Sequence, residues 1–384
     1  MPESSSEPRV LFTSSFLELQ GGSHGGVRRA QQIFELLRRA DSAVAVAHPL
    51  RDTAVGGLRH ADWGAALQYA RGVRASPPRR ARIALGFARN YGDWRRGLSR
   101  YPQARVLVWE STIDSMVLHA AKGAGLRVVA VPQNLETLVP GAVEPRTGQT
   151  MPWSLEHELR QLAAADAVYT ISREEQWLLR LRGIAAEYLP FFPDAACQNA
   201  WLAVRAGRAQ RREPPAGFVL LGSAVNPPTR AGVRELLTWL RAHASPAAPE
   251  MHVVGYGTEV FKDFESPGIH VHGAVGEAAL HALLVRARAV VLHQTAAVGA
   301  LTRISEILLA GVPILASPTA ARSTDRYRGV VTYESFADLR RLLLDDWPTP
   351  PIPEPPELLE RAFLRQISDW AGGPTRLATT ASVI

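Results

Sequence analysis

Apolar positions along the chain gather into short β-branched runs separated by longer stretches of helical spacing, the alternation expected of βαβ units and parallel sheets. In the first half the runs are Arg9–Ser15 (RVLFTSS), Ala43–His48 (AVAVAH), Arg105–Glu110 (RVLVWE), Arg127–Gln133 (RVVAVPQ), Ala167–Ser172 (AVYTIS) and Ala186–Pro190 (AEYLP). The second half restarts the pattern with Phe218–Ser223 (FVLLGS), Glu250–Gly257 (EMHVVGYG), Ile269–Gly273 (IHVHG), Ala289–Gln294 (AVVLHQ), Val312–Ser317 (VPILAS) and Gly329–Tyr333 (GVVTY). Between the halves, Phe191–Gly217 has prolines towards both ends and no clear period, and it reads as a linker. Near the end a proline-rich bend precedes an amphipathic helix from Pro355 to Trp370. The pattern predicts an α/β protein with two doubly wound, Rossmann-like domains at 1–190 and 218–354, a linker at 191–217, and a terminal helix with a frayed tail at 355–384. Ligands of such sheets bind at the carboxyl ends of the strands, so two facing sheets predict one interdomain cleft.

Composition narrows the class. A chain of 384 residues exceeds one ordinary core, in line with two domains. Its start, MPESSSEPRV, lacks the basic and apolar regions of a signal peptide, and no apolar run reaches the roughly 20 residues of a membrane span. The single cysteine, Cys197, excludes an internal disulfide framework. A cytoplasmic protein is expected. The net charge of +7 and pI near 10 raise nucleic acid as a partner. Lysine occurs only at 122 and 262, however, and arginines are spread along the chain rather than striped with aromatics. No nucleic-acid partner is expected. The densest basic run, Arg71–Arg100, instead suits a peripheral contact with an anionic membrane or a phosphorylated ligand.

The segment Val298–Ser317, VGALTRISEILLAGVPILAS, carries chemistry that a structural helix does not need. Its opening turn leaves backbone N–H groups unpaired at the positive pole of a helix, an anion site. Gly299 allows close backbone approach, with Ala300, Leu301 and Thr302 beside it, and Arg303 adds a permanent charge. Glu306, about one turn on, can accept hydrogen bonds from the two hydroxyls of a ribose. A plain i,i+3 pairing of Glu306 with Arg303 on a solvated face fits the same spacing.

In context this segment resembles the donor-nucleotide motif of retaining glycosyltransferases of the GT-B fold, in the large family of bacterial glycogen-synthase-type and mannosyltransferase-type enzymes. The family pattern is E-G-x-G-x-x-x-x-E-A-x-A-x-G-x-P-V. Glu306 matches its second glutamate, which the resemblance assigns to the ribose, and Leu309–Ser317 matches the remainder of the motif. Val298 replaces the first glutamate, and GALTRISE is closer to relatives with G-x-x-T-R/K-I-x-E. Gly21–Arg39 (GGSHGGVRRAQQIFELLRR) looks like the amino-terminal glycine loop, which implies that Gly21, Gly22, His24, Gly25 and Gly26 approach the donor phosphates. Pro132–Leu138 (PQNLETL) resembles H-N-x-E with Gln133 at the histidine position, and places Asn134 and Glu136 on the acceptor side together with His119. Leu155–Leu179 resembles the stretch that closes the first domain; its Ser172 is a natural cap for the following helix. Where the family has an arginine and a lysine on the diphosphate, this chain has Ser223 and Arg230, with Asn226 between them.

The resemblance implies a GT-B fold whose terminal helix returns to the first domain, and transfer of a sugar from a nucleoside-diphosphate sugar, with retention, to a carbohydrate, glycolipid or small-molecule acceptor. No D-x-D-type cluster is present, so Arg230, Arg303 and helix N-termini are expected to stabilise the leaving diphosphate, with His24 near it and with no metal or other cofactor. The departures at Val298, Gln133 and Ser223 leave open a catalytically degenerate GT-B protein that binds or scaffolds a partner, and a nucleotide-sugar 2-epimerase shares the architecture. His252, His270, His272 and His293 lie in strands with no metal-ligand spacing, and Trp109, Trp153 and Trp177 are core or acceptor wall.

Overall fold

A computed structural model describes residues 7–14, 25–40, 43–50, 58, 60–73, 76–110, 115–141, 154–244, 249–296 and 298–372. The chain divides into two compact units, one of Met1–Leu138, Ala142–Pro190 and Pro356–Ile384, the other of Val139–Gly141 and Phe191–Pro355. The first unit holds strands β1 (Val10–Thr13), β2 (Ala45–Val46), β3 (Val106–Trp109), β4 (Arg127–Ala130), β5 (Ala167–Thr170) and β6 (Ala186–Tyr188). Its helices are α1 (Gly25–Ala40), α2 (Trp63–Arg71), α3 (Pro77–Leu98), α4 (Met116–Gly123), α5 (Leu155–Ala163) and α6 (Arg173–Leu181). The second unit holds β7 (Phe218–Leu221), β8 (Met251–Val254), β9 (Ile269–Gly273), β10 (Ala289–Leu292), β11 (Ile314–Ala316) and β12 (Val330–Thr332). Its helices are α7 (Ala195–Gln210), α8 (Pro227–Ala242), α9 (Glu277–Arg286), α10 (Arg303–Leu309) and α11 (Phe336–Leu342). A last helix, α12 (Glu357–Ala371), belongs to the first unit.

Each apolar run named from the sequence contains a strand, and the named strands pair in parallel. The strand orders are β2-β1-β3-β4-β5-β6 and β12-β11-β10-β7-β8-β9. This is the expected fold class, two doubly wound six-stranded sheets. β3 is buried at every position because both of its faces are covered, which is why it reads as VLVW without alternation. Leu107 and Trp109 face the apolar layer under α3 and α4, while Val106 and Val108 face α1 and α12. α12 docks with Phe363, Leu364, Ile367 and Ala371 beside Ile33, Leu36 and Leu37 of α1.

The segment that reads as a linker contains the 16-residue helix α7, started by Asp194, whose carboxylate accepts from the Cys197 N–H at 2.9 Å. It buries only Cys197, Trp201 and Val204, at i, i+4 and i+7, so its apolar stripe is too narrow to stand out among the arginines around it. Those arginines are structural: Arg208 donates to the carbonyls of Gly311, Leu284, Val285 and Ala287, and Arg205 to those of Leu308, Leu309 and Pro350.

Candidate functional site

In each unit the chain leaves its first strand one way and later returns to that strand's other side. That reversal makes a topological switch point, where doubly wound sheets open a crevice beyond the strand ends. In the second unit it lies between β7 and β10. The chain after β7 turns through Gly222 and Ser223 to Asn226, and Pro227 and Pro228 then open α8. Asn226 is its cap: the amide oxygen accepts from the Thr229 N–H at 3.1 Å and from the Thr229 hydroxyl at 3.2 Å. The prolines carry no N–H and Thr229 is capped, so this helix start does not offer the open N–H groups expected of an anion site. Charge there comes from the side chain of Arg230, which is exposed.

From β10 the chain runs through Gln294, whose amide donates to the Thr229 hydroxyl at 2.9 Å and ties the two strand ends together. Gly299 turns with φ +64°, in the left-handed region that favours glycine. Ala300, Leu301 and Thr302 come next, partly buried. α10 is only seven residues long, and Thr302 gives it no side-chain cap. A helix of that length has little dipole, so the positive charge at this position is that of Arg303. The Arg303 guanidinium donates to the Leu221 carbonyl at 2.9 Å and lies against Gly222, where a Cβ would meet its Nη1 at 3.5 Å and the Thr229 methyl at 2.5 Å. Burial draws its pKa down, and Glu306 opposes that shift. Gly222 is also pressed from the other side by Gly255 at the end of β8, whose Cβ would lie 1.9 Å from the Gly222 carbonyl oxygen. Ser223, where the family has an arginine, donates to the Tyr256 carbonyl at 3.4 Å.

Glu306 is 8% exposed, not on a solvated face, and its Oε1 accepts from the Cys197 thiol at 3.6 Å. Arg303, Gly222, Asn226 and Arg230 thus gather around the ends of β7 and β10, and Glu306 lies on the helix next to them.

The first unit has its switch point between β1 and β3, and the residue there carries no motif in the sequence. Glu110 ends β3 fully buried, bonded to the Gln133 amide and the Ser14 hydroxyl, and burial raises its carboxyl to about 8 despite these bonds and nearby Arg29. The Gln133 amide also donates to the Gly26 carbonyl at 2.9 Å. Gly25 and Gly26 are the first residues of α1 rather than a loop; Gly21, Gly22 and His24 lie outside the described residues. Arg29, on the inner face of α1, donates to Gln32 and to the Leu189 carbonyl at 2.7 Å. One residue in a strand-end run gives no signal of such a network, since its partners Ser14, Gln133 and Arg29 are brought to it only by the topology.

Asn134 and Glu136 sit together after β4, with the Asn134 amide donating to Glu136 at 3.3 Å. Their loop is held from below by two carboxylates. Glu158 of α5 accepts from the N–H groups of Glu136 (2.8 Å) and Thr137 (3.0 Å), and Glu175 of α6 accepts from that of Leu135 (3.1 Å). Burial, and then these two like charges, lift the Glu136 carboxyl to about 7 even though Asn134 donates to it. His119 lies elsewhere, in the helical layer, bonded to Gln161 at 2.7 Å and edge-on to Phe87. Ser172 caps α6 through the Glu175 N–H, as expected. Trp109 is core, Trp177 is 66% exposed on α6, and Trp153 lies outside the described residues.

His252, His270 and His272 share one face of β8 and β9, closer than their spacing indicated, with 3.0 Å between His252 Nδ1 and His272 Nε2. Among the described residues no group of three or more His, Cys, Asp or Glu is arranged to hold a metal ion. Nor is any described helix long and apolar enough to cross a membrane.

No family model matches the sequence. No curated protein sequence matches it either. Solved structures do match in fold. HepE of Anabaena, in complex with UDP and glucose, superposes with a TM-score of 0.59 over 96% of this chain and 100% of its own, at 12% identity. Sucrose-phosphate synthase of Thermosynechococcus elongatus gives 0.58 over 95% and 94%, also at 12% identity. The α,α-trehalose 6-phosphate synthase of Burkholderia multivorans gives 0.57 over 95% of each chain, at 11% identity. The shared architecture is that of the GT-B glycosyltransferases.

Proposed function

We propose that this chain is a retaining glycosyltransferase that moves a sugar from a nucleoside-diphosphate sugar to a hydroxyl of a carbohydrate, glycolipid or small-molecule acceptor, without a resident metal. One observation carries the reading: a half-buried arginine is brought against a glycine-only strand end at the switch point, one turn before a buried carboxylate. The diphosphate lies over Gly222, with Arg303 beneath it and the exposed Arg230 reaching from α8. Glu306 takes the ribose hydroxyls. The bond from the anomeric carbon to the diphosphate breaks, and both electrons leave with the phosphate oxygen. Fixed positive charge at that oxygen is the largest stabilisation available, because it requires no reorganisation as the charge develops. The acceptor oxygen bonds to the anomeric carbon on the same face and loses its proton to the departing phosphate, so no protein nucleophile is required. Asn134 and Glu136 belong to the acceptor side. UDP, which HepE holds in its complex, is the first donor nucleotide to try.

A basic face on the first unit supports contact with an anionic membrane, the surface where a lipid-linked acceptor would be met. Arg95 and Arg96 point inward, to the carbonyls of Ala120 and Leu50. Arg71, Arg79, Arg82 and Arg89 are exposed on α2 and α3, which also expose Trp63, Leu67 and Leu85 by about half. Exposed tryptophan and arginine side chains suit a headgroup layer.

The test is release of nucleoside diphosphate from UDP-glucose, GDP-mannose and ADP-glucose. The wild type is expected to turn over one of them, unaffected by EDTA, and Arg303→Gln to lose about 100-fold or more. Loss of activity in EDTA with recovery on adding a divalent ion contradicts metal independence. A new sugar formed without acceptor favours the 2-epimerase, and tight binding without turnover favours the degenerate binder, which the serine at 223 in place of an arginine makes the second reading.

A further inference from the structure

We infer that α7 is a brace that sets the geometry of the ribose-binding carboxylate, with Cys197 as its positioning residue; the inference rests on Glu306 meeting the ribose. α10 cannot hold its own shape. It has seven residues, two of them β-branched isoleucines, and no side-chain cap at its start. Carbonyls at its C-terminal end and in the turn beyond it accept from α7: Arg205 donates to Leu309 at 2.9 Å and to Leu308, and Arg208 donates to Gly311 at 3.1 Å. At the other end of the same contact, two to three turns back along α7, the Cys197 thiol donates to Glu306 Oε1 at 3.6 Å.

Three residues of one helix therefore grip α10 at its carboxylate and at its close. The brace is itself anchored, since Asp194 caps it and Trp201 and Val204 bury its middle. A thiol suits the position next to Glu306. It is a weak donor, strong enough to bias the plane of an adjacent carboxylate and too weak to compete with a ribose hydroxyl for it. An arginine or serine there would hold the carboxylate harder and leave less for a ligand. On this account Cys197 touches no substrate. Its effect is confined to the hydroxyls that Glu306 reads.

The experiment is calorimetric titration of UDP, GDP and ADP, each against its 2′-deoxy counterpart, into the full chain. The ratio of the two affinities isolates the ribose contact. The wild type is expected to prefer the ribonucleotide about tenfold, and Glu306→Ala to abolish that preference. Cys197→Ala and Cys197→Val differ in volume but both lack the S–H donor. Both are expected to narrow the preference to about threefold or less while leaving deoxynucleotide affinity within about twofold. Leu339→Ala, buried on α11 and outside both α7 and α10, is expected to lower the melting temperature with the full preference intact, which separates positioning from mere stability. If the wild type discriminates, Glu306→Ala abolishes it, and both Cys197 variants keep the whole preference, the brace is overturned and the ribose reading stands. If the wild type shows no preference, binds none of the nucleotides, or keeps its preference in Glu306→Ala, the ribose reading falls and the inference with it.

Discussion

Two carboxylates end up buried near the carboxyl ends of strands, and their surroundings give them different work. Glu110 is enclosed without a full countercharge, and its pKa near 8 ties stability to pH. Folding raises this carboxyl above its ordinary value of 4.5, so between about 4.5 and 8 the folded chain holds a proton that the unfolded chain has released. Stability must then fall as pH rises through that window, and the loss is complete above about 8. Glu110→Gln keeps an acceptor for Gln133 and removes the titration. Melting curves from pH 5 to 8.5 are expected to fall less steeply in the variant, with the variant the more stable at pH 8.5; an unchanged slope would contradict burial as the cause. Glu306 was legible because its neighbours form a motif. Glu110 was not, because what distinguishes it is the company of Ser14, Gln133 and Arg29, which only the topology assembles.

Among the elements, α7 was the one hidden in the sequence. Helices announce themselves by an apolar stripe, and here much of the packing is done by arginines whose guanidinium groups fill carbonyl clusters. Arg208 serves four carbonyls from α9, its exit and the turn after α10. Arg208→Ala is expected to destabilise the second unit by about 2–4 kcal/mol, because buried acceptors are left unmade. Arg208→Lys should recover little, since an ammonium cannot reproduce the planar fork. Chemical denaturation checks both, and a full rescue by lysine would contradict the role given to the fork. The Asn134–Thr137 loop was legible as a motif, but its supports were not. Glu158 and Glu175, which accept the loop's N–H groups, are 1% and 2% exposed, a burial that only the packing of α5 and α6 produces.

At the scale of the molecule, the two sheets are legible in the twelve apolar runs, because a parallel strand buried on both faces must be apolar throughout. The terminal helix obeys the same logic. Its apolar stripe requires a partner, and α1 provides it. Phe363 is fully buried, edge-on to Tyr169 at 5.0 Å between ring centroids. Phe363→Ala is expected to cost the first unit about 3–5 kcal/mol, seen as an earlier unfolding transition, while the second unit melts unchanged. The arginines are spread over the fold: Arg29, Arg205 and Arg208 turn to internal carbonyls, others are exposed on many elements, and one exposed group lies on α2 and α3. Vesicles with anionic phosphatidylglycerol are expected to sediment the wild type, and neutral phosphatidylcholine vesicles to leave it in solution. A charge-reversed Arg79→Glu, Arg82→Glu, Arg89→Glu variant should lose the binding; equal sedimentation of that variant would remove the basic face from the account.

The most direct measurement is a crystal structure of the chain soaked with the nucleoside diphosphate that binds it best. The diphosphate is expected over Gly222 beside Arg303, with both ribose hydroxyls within about 3 Å of the Glu306 carboxylate. A nucleotide found away from the ends of β7 and β10, or one seated there with its ribose turned from Glu306, would contradict that expectation.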